Sequence, residues 1–111
     1  MESTRQKKVS ALIQKEMSQI FQKLSSDFMN KLISVTTVRM SPDLGTAKIY
    51  LSIFPEDKKE EVFSDIKKST KKLRGELGNI IKKQVRRIPE LIFDIDDSLN
   101  YAEKIDELLK K

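Results

Sequence analysis

The chain has 111 residues and contains neither cysteine nor histidine. Without cysteine there is no disulfide and no thiolate metal site, and without histidine the commonest proton carrier and transition-metal ligand is missing. Zinc hydrolases and triad enzymes are therefore disfavoured. We expect a single domain over residues 1–111 that is not an enzyme and has no metal, cofactor or small-molecule substrate.

Positive charge is concentrated in one part of the chain. Lysine and arginine number 22 against 17 acidic residues, which gives a net charge of +5. Residues 67–87 hold nine basic side chains and one acidic, whereas residues 88–111 hold three basic and seven acidic. A positive excess confined to one short segment favours a polyanionic partner such as nucleic acid.

The N-terminus shows no targeting signal. Its basic residues are not followed by an apolar run, and no stretch of the chain has the length and apolarity needed to span a bilayer. We expect a cytoplasmic protein with no membrane partner.

The first long segment has the periodicity of an amphipathic helix. Large apolar residues recur every three or four positions from Val9 to Phe28, which places them on one helix face. Ser3 or Thr4 is suitably placed to cap the start of this helix.

Two strands are predicted next. Residues 32–40 are rich in β-branched side chains, and a bulge is expected near their middle because the apolar positions change parity there. Residues 46–54 alternate regularly between apolar and polar. The turn at 41–45 contains proline, aspartate and Gly45, and we expect the glycine to take a left-handed conformation. The pattern predicts a β-hairpin.

Apolar residues return to helical spacing between residues 62 and 81. Asp57 and Glu60 have the spacing of a capping box. The apolar pattern, which includes Ile80, weakens at Ser69-Thr70, and both residue types favour helix ends. Two helices separated by a kink or short break are therefore predicted.

The last predicted strand covers residues 90–96, where Leu91, Phe93 and Ile95 alternate with polar residues. Asp97 and Ser98 are residue types that favour the N-cap position, and they precede a predicted short C-terminal helix. The order is then α-β-β-α-(kink)-α-β with a helical tail. Three strands covered by helices on one face predict a two-layer α+β domain.

The basic segment is the main candidate for a binding site, because eight net positive charges are not balanced by interspersed glutamates. The alternative is an ordinary solvated helix face. The candidate phosphate-binding residues are Lys67, Lys68, Lys71, Lys72, Arg74, Lys82, Lys83, Arg86 and Arg87. A possible second basic patch consists of Arg5, Lys7 and Lys8.

Three weaker patterns are interpreted structurally. Gly75 and Gly78 match a GxxG phosphate loop, but two glycines within a helix are favoured, because a glutamate and a leucine stand between them. The carboxylates between residues 94 and 97 suggest a magnesium site, yet a polar strand face running into a helix cap is favoured. Tyr50, opposite the apolar parity of its strand, has the position of a base-stacking residue, although core packing is the general expectation for aromatics.

Four motifs resemble those of one family, in order along nearly the whole chain. The hairpin VRMSPDLGTAKIYLS is similar to the V-x-x-S-P-D-L-x-x-A-x-V-Y-V-S hairpin of bacterial ribosome-binding factor A. The remaining matches are LRGELG at 73–78, RIPELIF at 87–93, and DDSL with IDELL at 96–99 and 105–109.

This resemblance implies a type-II KH-like fold and a ribosome biogenesis factor that assists late maturation of the 16S rRNA, often in cold adaptation. The expected partners are the free 30S subunit and its 16S rRNA, and the protein is expected to be a monomer. The family has Ala-x-Gly at the helix kink, where this chain has Ser69-Thr70-Lys71. The rival hypothesis is a protein-interaction module with a solvated basic helix, and the salt dependence of binding separates the two.

Overall fold

The computed structural model describes residues 3–96. Its elements are helix α1 (Thr4–Lys23), a 3-10 helix (Ser25–Phe28), strands β1 (Leu32–Met40) and β2 (Thr46–Phe54), helices α2 (Lys59–Lys68) and α3 (Thr70–Ile81), and strand β3 (Glu90–Ile95). The predicted order of helices and strands is confirmed. The predicted C-terminal helix lies outside the described residues.

The start of α1 is fixed by two residues. The Gln6 backbone N–H donates to Ser3 Oγ at 3.2 Å, and the Ser3 N–H donates to Gln6 Oε1 at 2.7 Å, which is a reciprocal capping box. Gln6 Nε2 also donates to the Met40 carbonyl oxygen at 3.0 Å. The predicted cap at Ser3 is confirmed, and the helix terminus is bonded to the end of β1.

The predicted bulge in β1 is present. Its register with β2 passes from Val35 opposite Leu51 to Thr37 opposite Tyr50, so Thr36 is the extra residue. Because a bulge reverses the side-chain parity, the apolar residues before and after Thr36 all face the helices.

The sheet has the strand order β1-β2-β3, with β1 antiparallel and β3 parallel to β2. Helices α2 and α3 form the crossover that a parallel neighbour requires. The helices cover one face of the sheet, which confirms the two-layer α+β architecture. At the centre of the core, the Phe21 ring centroid lies 6.0 Å from that of Phe28 and 6.1 Å from that of Phe93.

The break between α2 and α3 is also present. Ser69 separates the two helices with a ψ angle of 8°, and its N–H donates to the carbonyl oxygens of Asp65 and Ile66, both at 3.0 Å. Thr70 Oγ1 donates to the Lys67 carbonyl oxygen at 2.7 Å. The side chain of Thr70 thus satisfies a carbonyl group at the end of α2.

The predicted capping box at Asp57 and Glu60 is wrong. Helix α2 begins at Lys59, and the residue before it, Lys58, has a φ of 59° and makes no side-chain cap. Asp57 instead accepts a bond from Lys31 Nζ at 2.8 Å. The Lys31 side chain is only 7% exposed, so its ammonium group requires a counter-ion more than the helix requires a cap.

The expected left-handed glycine in the hairpin turn is wrong as well. Leu44 has the left-handed conformation, with a φ of 60°, and Gly45 has an ordinary one. A Cβ atom on Gly45 would lie 2.5 Å from Arg87 Nη2, so a larger residue there would displace the Arg87 side chain. Ile80, assigned to the buried stripe of α3, is 43% exposed.

Within residues 3–96, no helix combines the length and apolarity needed to cross a bilayer.

Candidate nucleic-acid interface

Four lysines surround the break between α2 and α3, and we call them the break cluster. Its members are Lys67, Lys68, Lys71 and Lys72, all of them exposed. Lys67 Nζ lies 4.6 Å from the centroid of the Phe63 ring, a distance at which a cation is attracted to the ring face. Lys72 Nζ lies 3.4 Å from an Asp27 carboxylate oxygen. Two of the four lysines therefore contact neighbouring side chains, and all four remain exposed.

Helix stability accounts for only half of the break cluster. Lys67 and Lys68 lie in the last turn of α2, where the helix dipole favours positive charge. Lys71 and Lys72 lie in the first turn of α3, which contains no acidic residue. Positive side chains are unfavourable there, because the helix dipole places positive charge at the same end. Lys68 and Lys72 border a hollow of about 270 Å³ together with Asp27 and Asp65, so carboxylates balance one side of the cluster. Lys67 and Lys71 do not border this hollow.

Arg74 makes structural contacts. Its Nε donates to the Pro89 carbonyl oxygen at 2.9 Å, and its Nη2 donates to the Ile88 carbonyl oxygen at 2.7 Å. These bonds hold the segment before β3 against α3. Two of the five N–H donors of Arg74 are thus used within the protein, and three remain for RNA.

A second group of basic residues lies at the far end of α3. Lys82 and Lys83 follow its last turn, and Arg86 and Arg87 lie on the way to β3, all exposed. Lys71 and Lys82 are separated by about three helical turns, so they lie on the same side of α3 and about 16 Å apart along its axis. The basic segment is therefore extended along α3 and has two ends.

The glycines between these ends are helical. Gly75 and Gly78 both lie within α3, as the favoured interpretation predicted, and no GxxG loop is formed. A Cβ atom at Gly78 would contact Ile88 at 3.4 Å, whereas one at Gly75 would meet nothing within 4 Å. Gly78 therefore permits close packing of the segment before β3, and Gly75 leaves the helix surface flat.

The structure brings Arg5, Arg86 and Arg87 to the border of one cavity. The cavity has a volume of about 480 Å³ and is formed where the start of α1, the hairpin turn and the segment before β3 meet. The Glu90 N–H donates to the Gly45 carbonyl oxygen at 2.9 Å, which holds the turn at the start of β3. One member of the predicted second patch thus joins the main basic segment.

The other two members of that patch are placed differently. Lys7 and Lys8 are exposed on α1, outside this cavity. Of the predicted second patch, only Arg5 therefore borders the cavity, and a shared binding role for the three residues stays a prediction.

One carboxylate borders the cavity, that of Asp43. Its Oδ1 accepts bonds from the Ser41 hydroxyl at 2.6 Å and from the Gly45 N–H at 3.0 Å. These two bonds, and then the positive charge of Arg87, lower the pKa of the Asp43 carboxyl below its ordinary value. The cavity therefore has an anionic wall in the hairpin turn and a cationic border at the three arginines.

The acidic residues at the end of β3 have partners of their own. Lys48 Nζ lies 3.7 Å from an Asp94 carboxylate oxygen, and Thr36 Oγ1 donates to Asp96 Oδ2. Among residues 3–96, no group of three or more acidic residues is arranged around a metal position. Asp97 lies outside the described residues. Tyr50 is partly exposed beside Lys48, whose Nζ lies 5.4 Å from the ring centroid.

Comparison with known proteins agrees with the motifs in the sequence. The family model described as ribosome-binding factor A matches residues 5–109. The chain belongs to the ribosome-binding factor A family. Ribosome-binding factor A of Cytophaga hutchinsonii is 54% identical, over 100% of this chain and 84% of the relative. That of Flavobacterium johnsoniae is 43% identical, over 98% of this chain and 85% of the relative.

Solved structures of ribosome-binding factor A share the fold. The crystal structure of the Thermus thermophilus protein gives a TM-score of 0.68 at 22% identity, covering 81% of this chain and 94% of that chain. A homology model of the Thermus thermophilus protein, fitted into a cryo-EM map of a 30S complex, gives 0.60 at 20% identity, covering 79% and 91%. The type-II KH-like fold expected from the sequence is consistent with these neighbours.

The cavity was not predicted from the sequence. Arg5 and Arg86 are far apart along the chain, and only the packing of α1 against the sheet brings them together. The pair Arg86-Arg87 is evidently basic in the sequence, but nothing in the sequence indicates that Val9, Leu44 and Val85 line one cavity with it.

Proposed function

We propose that this protein binds the free 30S ribosomal subunit and assists late maturation of its 16S rRNA without catalysing a reaction. The observation that carries the proposal is the exposed run of basic side chains along α3, from the break cluster to Arg87. Membership of the ribosome-binding factor A family supports it, as does the related Thermus thermophilus protein that was fitted into a 30S complex.

The proposed interaction is mainly electrostatic. Lysines and arginines neutralise RNA phosphates and release condensed counterions, so the affinity falls steeply as salt is added. Such contacts orient a protein on RNA but contain little sequence information. Recognition would then come from the shape of the folded rRNA and from strands that remain unpaired during assembly.

The proposed binding residues differ in how much each is expected to contribute to rRNA binding. We assign phosphate contacts to the break cluster and to Lys82, Lys83, Arg86 and Arg87, with a smaller contribution from Arg74, because two of its five donors bond the backbone. Arg5 belongs to the same surface, and Lys7 and Lys8 would add weaker contacts from α1.

The remaining parts of the proposal come from the sequence and, for growth in the cold, from the family resemblance. The protein would act in the cytoplasm as a monomer with one domain over residues 1–111, and it would support growth in the cold.

A charge-reversal experiment tests this proposal. The triple variant K68E/K71E/K72E should bind purified 30S subunits more weakly, and the slope of log affinity against log salt should fall by about 2 to 3. The control is K15E/K23E/R39E, which reverses three exposed charges outside the proposed surface. Unchanged binding by the first variant, with both variants folded, would contradict the assignment.

The rival function is a protein-interaction module, and one feature of the sheet favours it. Leu32 and Phe54 are cross-strand partners, yet they are 56% and 64% exposed. Ile92 is 49% exposed, on β3. Apolar docking through such residues would depend only weakly on salt, whereas RNA binding depends on it strongly.

A further inference from the structure

We propose that the cavity bordered by Arg5, Arg86 and Arg87 binds one unpaired RNA nucleotide, with its base inside and its phosphate at the arginines. This inference rests on the proposed function and deepens it. The break cluster would hold RNA by its backbone alone, whereas this cavity would select RNA that is locally single-stranded.

The size of the cavity limits its occupant. Its volume is about 480 Å³, within the range of roughly 300 to 1,000 Å³ that is typical of small-ligand sites. A base inside a duplex is held in the helix by stacking and pairing, so it cannot enter a cavity that has room for only a single nucleotide. A nucleotide from a loop, a bulge or a strand end can be turned outward and inserted.

The walls of the cavity suit a base better than they suit a bare anion. Val9, Leu44 and Val85 line it, and all three are partly buried against the core. Contact with these side chains would remove the apolar faces of a base from water. The planar guanidinium groups at the border provide further stacking surfaces.

The charges of the cavity define an orientation. A phosphate is attracted to the arginines and repelled by the Asp43 carboxylate, which lies beside Arg87, so Arg5 and Arg86 are its expected contacts. Asp43 Oδ1 already accepts two bonds within the turn, and an ionised carboxylate has about four acceptor positions in total. The carboxylate can therefore accept from a base N–H group, while Gln84 offers both a donor and an acceptor.

The experiment uses one RNA in two forms. A labelled twelve-nucleotide strand of mixed sequence, without self-complementarity, is compared with the same strand annealed to its complement. The full-length protein should bind the single strand more tightly than the duplex in moderate salt. Val85→Phe, which fills the cavity without changing charge, should weaken single-strand binding by about tenfold or more and leave duplex binding within about twofold.

Two further variants keep the test interpretable. Ile92→Phe makes the same kind of change on the open face of the sheet and should leave both affinities unchanged. If Val85→Phe does not fold, Arg5→Gln is used with Lys15→Gln as its charge-matched partner, since both residues are exposed on α1. Only Arg5→Gln should lower the preference for the single strand.

The possible failures are distinguishable. If the unmodified protein binds neither RNA form nor 30S subunits in a salt-dependent way, the proposed function fails and this inference fails with it. If it binds them but Val85→Phe or Arg5→Gln leaves the preference for single strands intact, the nucleotide site alone is overturned. Tighter binding of an Asp/Glu-rich peptide than of the single strand would also overturn it.

Discussion

The Arg87 guanidinium occupies the position where a side chain of residue 45 would lie. A Cβ atom added to Gly45 would be 2.5 Å from Arg87 Nη2 and 3.2 Å from each Asp43 carboxylate oxygen. The hairpin turn and the segment before β3 therefore meet at this point, where Arg87 borders the cavity.

Replacing Gly45 with alanine tests this contact. The added methyl group should displace Arg87 and destabilise the protein by about 1 kcal/mol, at the low end for overpacking because the end of a flexible side chain can move. Urea unfolding measures the loss. In an Arg87→Ala background the same substitution should cost clearly less, and an equal cost in both backgrounds would show that the two residues do not interact.

Arg74 is expected to contribute more to stability than the lysines near it. Arg74→Lys loses the two-donor geometry that bonds the Ile88 and Pro89 carbonyl oxygens, so we expect a loss of about 1–2 kcal/mol in the free energy of unfolding. Lys71→Gln, an exposed change on the same helix, should remain within about 0.5 kcal/mol of the unmodified protein. Equal effects of the two substitutions would contradict the structural role of Arg74.

Ser10 offers a stabilising substitution. Its hydroxyl is buried and has no hydrogen-bond partner within residues 3–96. Ser10→Ala should raise the free energy of unfolding by about 1 kcal/mol, because it removes a buried unsatisfied group and improves helix propensity. Ser18→Ala is the control, since the Ser18 hydroxyl donates to the Gln14 carbonyl oxygen at 2.7 Å. A destabilised Ser10→Ala would show that this hydroxyl has a partner.

The Lys31–Asp57 pair predicts a defined acid sensitivity. The hydrogen bond from Lys31, and then its charge, lower the pKa of the Asp57 carboxyl below its ordinary value of 3.8. A carboxyl whose pKa is lower in the folded state stabilises that state above the unfolded pKa, and this contribution is lost as the pH falls through the folded pKa. Asp57→Asn should therefore be less stable than the unmodified protein at pH 6, with the difference shrinking below about pH 4.

Urea unfolding at a series of pH values measures this difference. Lys31→Met, which removes the other partner, should flatten the acid dependence in the same way. A difference between Asp57→Asn and the unmodified protein that stays constant from pH 6 to pH 2 would contradict the pairing.

Features that depend on local sequence were predictable. The change of apolar parity around Thr36 indicated a bulge, because a strand must keep its apolar side chains on the buried face. The pair Ser69-Thr70 indicated a helix break, and the structure shows how the Thr70 hydroxyl satisfies the carbonyl group left at the end of α2. In both cases the deciding interactions lie within a few residues.

Features that depend on distant contacts were not predictable. Asp57 has good capping spacing, but a buried ammonium group 26 residues away takes its carboxylate. Gly45 has the sequence context of a left-handed turn position, yet Leu44 takes that conformation and Gly45 instead lies next to the Arg87 side chain. The meeting of Arg5 with Arg86 likewise follows from the strand order and the packing of α1.

The most direct test of the proposed rRNA-binding surface is crosslinking of the unmodified protein to purified 30S subunits, followed by mapping of the residues joined to RNA. We predict crosslinks at the break cluster, at Lys82 and Lys83, and beside Arg86 and Arg87. Crosslinks confined to the open face of the sheet, around Lys48 and Phe54, or formed only with ribosomal proteins, would contradict the account.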